Sequence, residues 1–262
     1  MQEYTNIDQT IHQLSQIIAK ANRTFVTTVA DDSHTNLYFD YINHRVYGRW
    51  ISSKTEELIL ALNVETFSFE WVNKSLSVVQ SHTIENKTIL ELEQAISNGL
   101  SNLGLKSKGL TDDLHFEIPV YDFAKKPFVK WDDKSIQNWE FVRDLANTAS
   151  FELLGLLQTP SEIRIWPHHF DTGIYVQQNK NLGLGFGLAM EDTMLNEPYF
   201  YFSGYGLNDS EIDYSSVNRL TNGKWITGEN WNGAVLPLSE LGNEPSQVIN
   251  TFLKEAVAWF LK

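Results

Sequence analysis

Three side chains of metal-binding type fall within four residues, at His168, His169 and Asp171, in the run Arg164-Ile165-Trp166-Pro167-His168-His169-Phe170-Asp171. Read as an extended strand, this run turns His168 and Phe170 to one face and His169 and Asp171 to the other. One face then carries an imidazole and a carboxylate two residues apart, a spacing suited to a divalent cation or to a His–Asp acid–base pair. The acidic connection further on, with Glu191, Asp192 and Glu197, is the natural source of additional ligands. The metal set this predicts is His168, His169, Asp171 and Glu191, and the catalytic candidates are His169, Asp171 and Glu197. A plainer reading stands against it. Pro167 marks a sheet edge or a bulge, where histidines are solvated or bonded to backbone. His-His-x-Asp also lacks the helical spacing that puts both ligands of His-Glu-x-x-His on one face.

A second chemistry lies in the run from Pro198 to Gly206. Alternation puts Tyr199, Tyr201 and Tyr205 on one face and Phe200 and Phe202 on the other. The run before it carries Gly183, Gly185 and Gly187 opposite Leu184, Phe186 and Leu188. If the two form a hairpin, phenylalanine matches leucine in the core and tyrosine lies over glycine. The space left by the glycines is filled either by the tyrosine rings themselves or by a polar small molecule held by their hydroxyls.

Other motifs are missing. The glycines at 183, 185 and 187 lack dinucleotide-binding spacing and no helix follows them. There is no phosphate-binding Gly-Lys-Ser/Thr loop and no Gly-x-Ser-x-Gly nucleophile turn. Asp31-Asp32-Ser33-His34 reads as a solvated turn, and Trp225 and Trp231, around Gly228, as core or cap residues.

Composition narrows the rest. Asp and Glu number 33 against 20 Lys and Arg, a formal charge of −13, which repels phosphate backbones and anionic lipid surfaces. Neither nucleic acid nor a membrane is therefore expected as a partner. With no cysteine, disulfides, thiolate nucleophiles, iron–sulfur clusters and Cys-zinc sites are excluded. The N-terminus lacks a basic segment followed by an apolar run, and no run approaches the roughly 18 apolar residues a membrane span needs, so a cytoplasmic location is expected. Hydrophobic residues at 42% with 20% charged describe a chain that buries a core.

The elements that must position these side chains follow from periodicity. Ile7, Ile11, Leu14 and Ile18 predict a first helix with Asn6 as its N-cap. Residues 24–30, 36–42 and 45–51 read as strands, with a tight turn at Asn43-His44. Residues 57–63, 66–72 and 76–80 follow as strands. In 66–72, Phe67, Phe69 and Trp71 face one way and Ser68 and Glu70 the other, which predicts a half-buried strand. A helix runs from Thr88 to Gly104. One strand, 114–121, is expected in the irregular stretch that follows. A long helix over residues 135–157 buries Ile136, Trp139, Val142, Ala146, Ala149, Leu153 and Leu156. Strands are predicted over 162–176, 182–190, 198–206 and 224–238, and a last helix starts at Pro245, burying Ile249, Phe252, Ala256 and Trp259. The sum is an α+β fold of antiparallel sheets packed by helices, a single unit over 1–262 in which residues 1–110 and 111–262 repeat a helix–strands–helix plan.

Taken in order, TIHQLSQIIAKAN (10–22), NLYF (36–39), TFSFEWVNKSLSV (66–78), SNLGL (101–105), FEIPVYDFAKKPFVKWD (116–132), HHFD (168–171), EPYFY (197–201) and WNGAVLPLSEL (231–241) resemble an uncharacterised bacterial family of unknown function. The resemblance runs loosely over nearly the whole chain and implies one continuous α+β unit. It assigns no catalytic residue. In that family the positions of His168 and His169 need not be histidine, which moves weight to Asp171 and Glu197, with Asp171 bonding backbone and Glu197 fixing a turn. Two functions remain: a small-molecule-binding or structural protein, and a metal-dependent hydrolase-like enzyme built on the His/Asp/Glu cluster. A homodimer through an exposed edge at Pro167 or an uncovered aromatic face is compatible with both.

Overall fold

The structure, a computed structural model, describes residues 1–262. It has four helices and two antiparallel sheets of six strands, the α+β class expected. The chain falls into two compact units. The first is Gln2–Phe141 with Ile165–Phe170, and the second is Val142–Arg164 with Asp171–Lys262. The division thus falls inside the long helix and around the 165–170 segment.

In the first unit, α1 (Gln2–Phe25) precedes β1 (Tyr38–Asp40), β2 (Arg45–Tyr47), β3 (Ile51–Ser52), β4 (Glu57–Asn63), β5 (Ser68–Asn73), β6 (Val78–Thr83) and α2 (Ile89–Gly99). The sheet order is β1-β2-β4-β5-β6, with β3 on β4. Helix α1 begins before Asn6, so that residue is internal and its side chain accepts from Gln2 Nε2 at 3.1 Å. The helix also continues through Phe25, and no strand forms over 24–30. The β-branched run there looks like a strand in isolation, but Ala21 and Asn22 are buried, and their packing carries the helix on. Helix α2 has the predicted start, a capping box between Thr88 and Glu91, and Gly104 takes the left-handed φ of 72° that ends the segment.

Strand β5 differs from expectation, because it is buried on both faces. Glu70 is only 6% exposed, and its carboxylate is held by Arg45 Nε at 2.7 Å, which makes its burial tolerable. The strand expected over 114–121 does not form. Pro119 removes a donor there, and the stretch instead follows an irregular path.

The second unit takes the latter part of α3 (Asp133–Leu157), Arg164 of β7 (Arg164–Ile165), and then β8 (Thr172–Asn179), β9 (Leu182–Ala189), β10 (Tyr199–Gly206), β11 (Lys224–Thr227), β12 (Asn232–Pro237) and α4 (Pro245–Phe260). The sheet order is β11-β12-β10-β9-β8-β7. The stripe on α3 is as predicted except at its end. Leu156 is 50% exposed and Leu157 is buried in its place, since the helical repeat carries the stripe from Leu153 to the residue four on. Phe200 pairs with Leu188 and Phe202 with Phe186. Phe186 stacks on Phe200 at 5.8 Å, and Phe202 on Phe260 of α4 at 5.3 Å. Each of these buried rings contributes on the order of 2–3 kcal/mol through the area it removes from water. No helix is long and apolar enough to cross a membrane.

Candidate functional site

The His-His-Phe-Asp segment is not extended. Pro167, His168 and His169 form a turn, Phe170 takes a left-handed φ of 61°, and its N–H closes on Trp166 O at 2.7 Å. Alternation therefore does not apply, and the predicted face of His169 beside Asp171 is not made. The turn is pinned inside the first unit. Pro167 O accepts from His12 Nε2 (2.9 Å) and from Gln16 Nε2 (2.8 Å), and buried Phe170 stacks on the His12 ring at 5.2 Å. A carbonyl can only accept, so His12 carries its hydrogen on Nε2, and in the neutral ring Nδ1 accepts from the Tyr121 hydroxyl at 2.7 Å. Burial, and then the charge of Asp8, holds the Tyr121 phenol above its usual range.

His168 and His169 lie side by side, ring centres 4.4 Å apart, with His168 tilted against Phe116. His115 Nε2 reaches Asp32 at 2.9 Å and His34 Nδ1 approaches the same carboxylate at 3.5 Å. The loop read as a solvated turn is thus a gathering point for imidazoles. Burial, then the neighbouring His169, lowers the pKa of His168, against the pull of Asp32. No group of three or more His, Asp or Glu side chains is spaced to hold a metal ion. The set predicted as metal ligands, His168, His169, Asp171 and Glu191, does not assemble, because the strand geometry that would have aligned it is replaced by the turn.

The remaining predicted residues belong to the second unit. Glu197 is structural: its two oxygens accept from Ser239 N (2.9 Å) and Ser239 Oγ (2.8 Å) where β12 ends. Glu191 is exposed in the connection between β9 and β10. Tyr199 donates its hydroxyl to Asp192 at 2.6 Å. Burial, and next the Asp171 carboxylate beside it, pushes the Tyr201 phenol well above its ordinary pKa.

Tyrosine lies over glycine as the register implies, Tyr201 opposite Gly187 and Tyr205 opposite Gly183. A Cβ at Gly187 would stand 2.9 Å from the Tyr201 hydroxyl, one at Gly185 would stand 3.0 Å from the Tyr205 ring, and one at Gly183 would run into Tyr175. The rings themselves occupy the space over β9, so the trough predicted there is filled by Tyr175, Tyr201 and Tyr205.

An opening exists at the end of this face. Strand β10 pairs with β12 only from Tyr199 to Phe202, and the two then part. A cleft of about 410 Å³ lies between Ser203–Gly206, Ser210–Ile212, Tyr214 and Glu229–Asn232. Trp231 lies over Gly233, whose Cβ would fall 2.6 Å from the indole. The Tyr214 hydroxyl sits in the gap, taking the Gly204 N–H at 3.4 Å and reaching Asn232 O at 3.3 Å. Ser203 is 1% exposed, and its hydroxyl is shut off from solvent. Burial raises the Tyr205 phenol, and a hydrogen bond with Ser203 opposes that rise. The sequence signal for this residue was its place between Tyr201 and Tyr205 on one strand face. Nothing local showed that β12 would stop pairing beside it.

A second cleft, of about 430 Å³, lies in the first unit by Gln16, Lys20, Leu90, Glu93 and Phe116. Lys20 and Glu93 in its wall are joined at 2.8 Å, and Asp113 and Glu117 also line it. Comparison with known proteins adds no relative: no family model, no curated protein and no solved structure matches this chain.

Proposed function

We propose that the protein binds a small polar molecule in the cleft between the parting ends of β10 and β12. The observation that carries this reading is the cleft itself, which opens where the pairing of β10 with β12 stops after Phe202. At about 410 Å³ it is large enough for a small ligand. The aromatic rings of Tyr205 and Trp231 and the amides of Asn230 and Asn232 give the same cleft apolar and polar contacts. The metal-dependent hydrolase reading has no comparable support once the 167–170 turn is taken into account. A cytoplasmic location without nucleic-acid partners belongs to the same proposal and rests on the acidic charge and lack of cysteine.

The test is a fragment screen by protein-observed NMR on the full chain, with the tryptophan indole signals assigned. Binders should perturb Trp231 and the backbone amides of Ser203 to Gly206, and Trp231→Ala should weaken them. A screen whose hits all fall elsewhere would end the reading.

A further inference from the structure

Strand β6 ends the first sheet, and one side of it is bare. On its other side it pairs with β5 in the register Ser68↔Thr83, Phe69↔His82, Glu70↔Ser81 and Trp71↔Gln80. One step further along, Ile84 N donates to Phe67 O at 3.0 Å. Hydrogen-bonded positions alternate along an antiparallel pair. Gln80 and His82 therefore bond to β5, and the N–H and C=O groups of Val79, Ser81 and Thr83 point to the open side. No other backbone group of the chain reaches them. The remaining sheet ends are shorter or closed: β1 has three residues, β11 has four and begins at Lys224, and Ile165 of β7 pairs with Leu37. Natural edges are blunted by a lysine, a proline or an inward charge. Val78–Thr83 has none of these, and Val78, Val79, Ser81 and Thr83 are exposed. The one irregularity, where the β5 register shifts between Trp71 and Val72, lies at the Val78 end.

We infer that this edge is completed by a second copy of the chain, β6 against β6, antiparallel about a two-fold axis at Ser81. The three open positions are evenly spaced and centred on Ser81, so a copy turned end for end matches all of them at once. Ser81 then faces Ser81 of the second copy, and Val79 faces its Thr83, with two hydrogen bonds at each pair. The flanking pairs are β-branched on both sides, which suits cross-strand packing. Charge favours the same contact. Two chains of net charge −13 repel each other, and β6 is a stretch where neither brings a charged side chain to the other. A strand of this length spans about 20 Å, which is small for an interface, so the dimer is a weak and reversible one.

The experiment is sedimentation velocity on the full chain over a concentration series reaching the high micromolar range. The expected result is a reversible monomer–dimer equilibrium. Ser81→Pro removes an outward N–H and no bond to β5, so the fold holds while dimerisation weakens by at least about tenfold, the loss of the two bonds at the axis. The chain has no cysteine, so Ser81→Cys introduces a lone thiol. Across a hydrogen-bonded pair the two Cα atoms stand about 5.5 Å apart, within reach of a disulfide. Mild oxidation should cross-link Ser81→Cys into a dimer far faster than Ser107→Cys, an exposed position off the strand. Thermal melting checks that each variant folds. Should Ser81→Pro not fold, Thr83→Lys takes its place and sets a lysine in the pairing edge. A chain that stays monomeric at every concentration, leaving the edge to a foreign strand or to none, would overturn the proposal. So would a dimer that the edge variants leave intact, or one that cross-links as fast through Ser107→Cys as through Ser81→Cys.

Discussion

The Nε2–H of His12 ends on the carbonyl of Pro167, 2.9 Å away and 155 residues further along the chain. The same imidazole receives Tyr121 on its other nitrogen, so one buried ring ties α1 to two distant loops. His12→Ala would leave the Tyr121 hydroxyl without this partner, open a cavity against Phe170, and destabilise the fold by about 2–4 kcal/mol. Urea unfolding measures the loss. A change within error would show that the turn holds without the ring.

Half-buried Arg45 and buried Glu70 form a pair at 2.7 Å. Arg45→Ala should cost about 3–5 kcal/mol, because it strands a buried carboxylate. Replacing both partners together, as Arg45→Met with Glu70→Leu, should restore most of that stability. A double-mutant cycle in denaturant reads both numbers.

Acid should weaken the first unit through its histidines. Burial, first of all, lowers the pKa of both His168 and His82 below the usual 6.5. Between those lowered values and 6.5 the unfolded chain binds more protons than the folded one, so stability is complete above 6.5 and declines as pH falls below it. The urea midpoint should therefore drop between about pH 7.5 and about pH 5.5, and His168→Gln with His82→Gln should flatten that slope. An unchanged slope in the double variant would remove these two residues as its cause.

Gly233→Ala tests the wall of the cleft. The new methyl would stand 2.6 Å from both the Phe202 carbonyl and the Trp231 indole, so the ring or the strand must move. The expected cost is about 1–3 kcal/mol. Tryptophan fluorescence should shift as the ring is displaced, and a variant with wild-type stability and emission would show that Trp231 does not rest there.

What was legible in the sequence was local chemistry. Thr88, Gly104 and Pro245 mark helix ends by satisfying or omitting particular backbone bonds, and they do so in the structure, where Glu91 completes a capping box with Thr88. The β9–β10 register was readable because one residue of slip would have put Phe200 and Phe202 in solvent. The turn at 167–170 was not readable, since it is held by His12 and Gln16, which nothing near it in the chain announces. Glu70 gave no sign of burial, because its partner Arg45 lies on another strand. The cleft was hidden for the same kind of reason. It arises where a strand pair stops, and strand alternation alone says nothing about where pairing stops.

The Tyr214 hydroxyl in the strand gap has one more effect. An unpaired strand edge is a template on which a second polypeptide can add its own strand and begin to aggregate. At Gly204, where β10 has lost β12, the tyrosine already occupies the amide that an incoming strand would use. The hydroxyl therefore acts as a plug at the end of the strand pair, taking the backbone donor that edge-to-edge pairing would need.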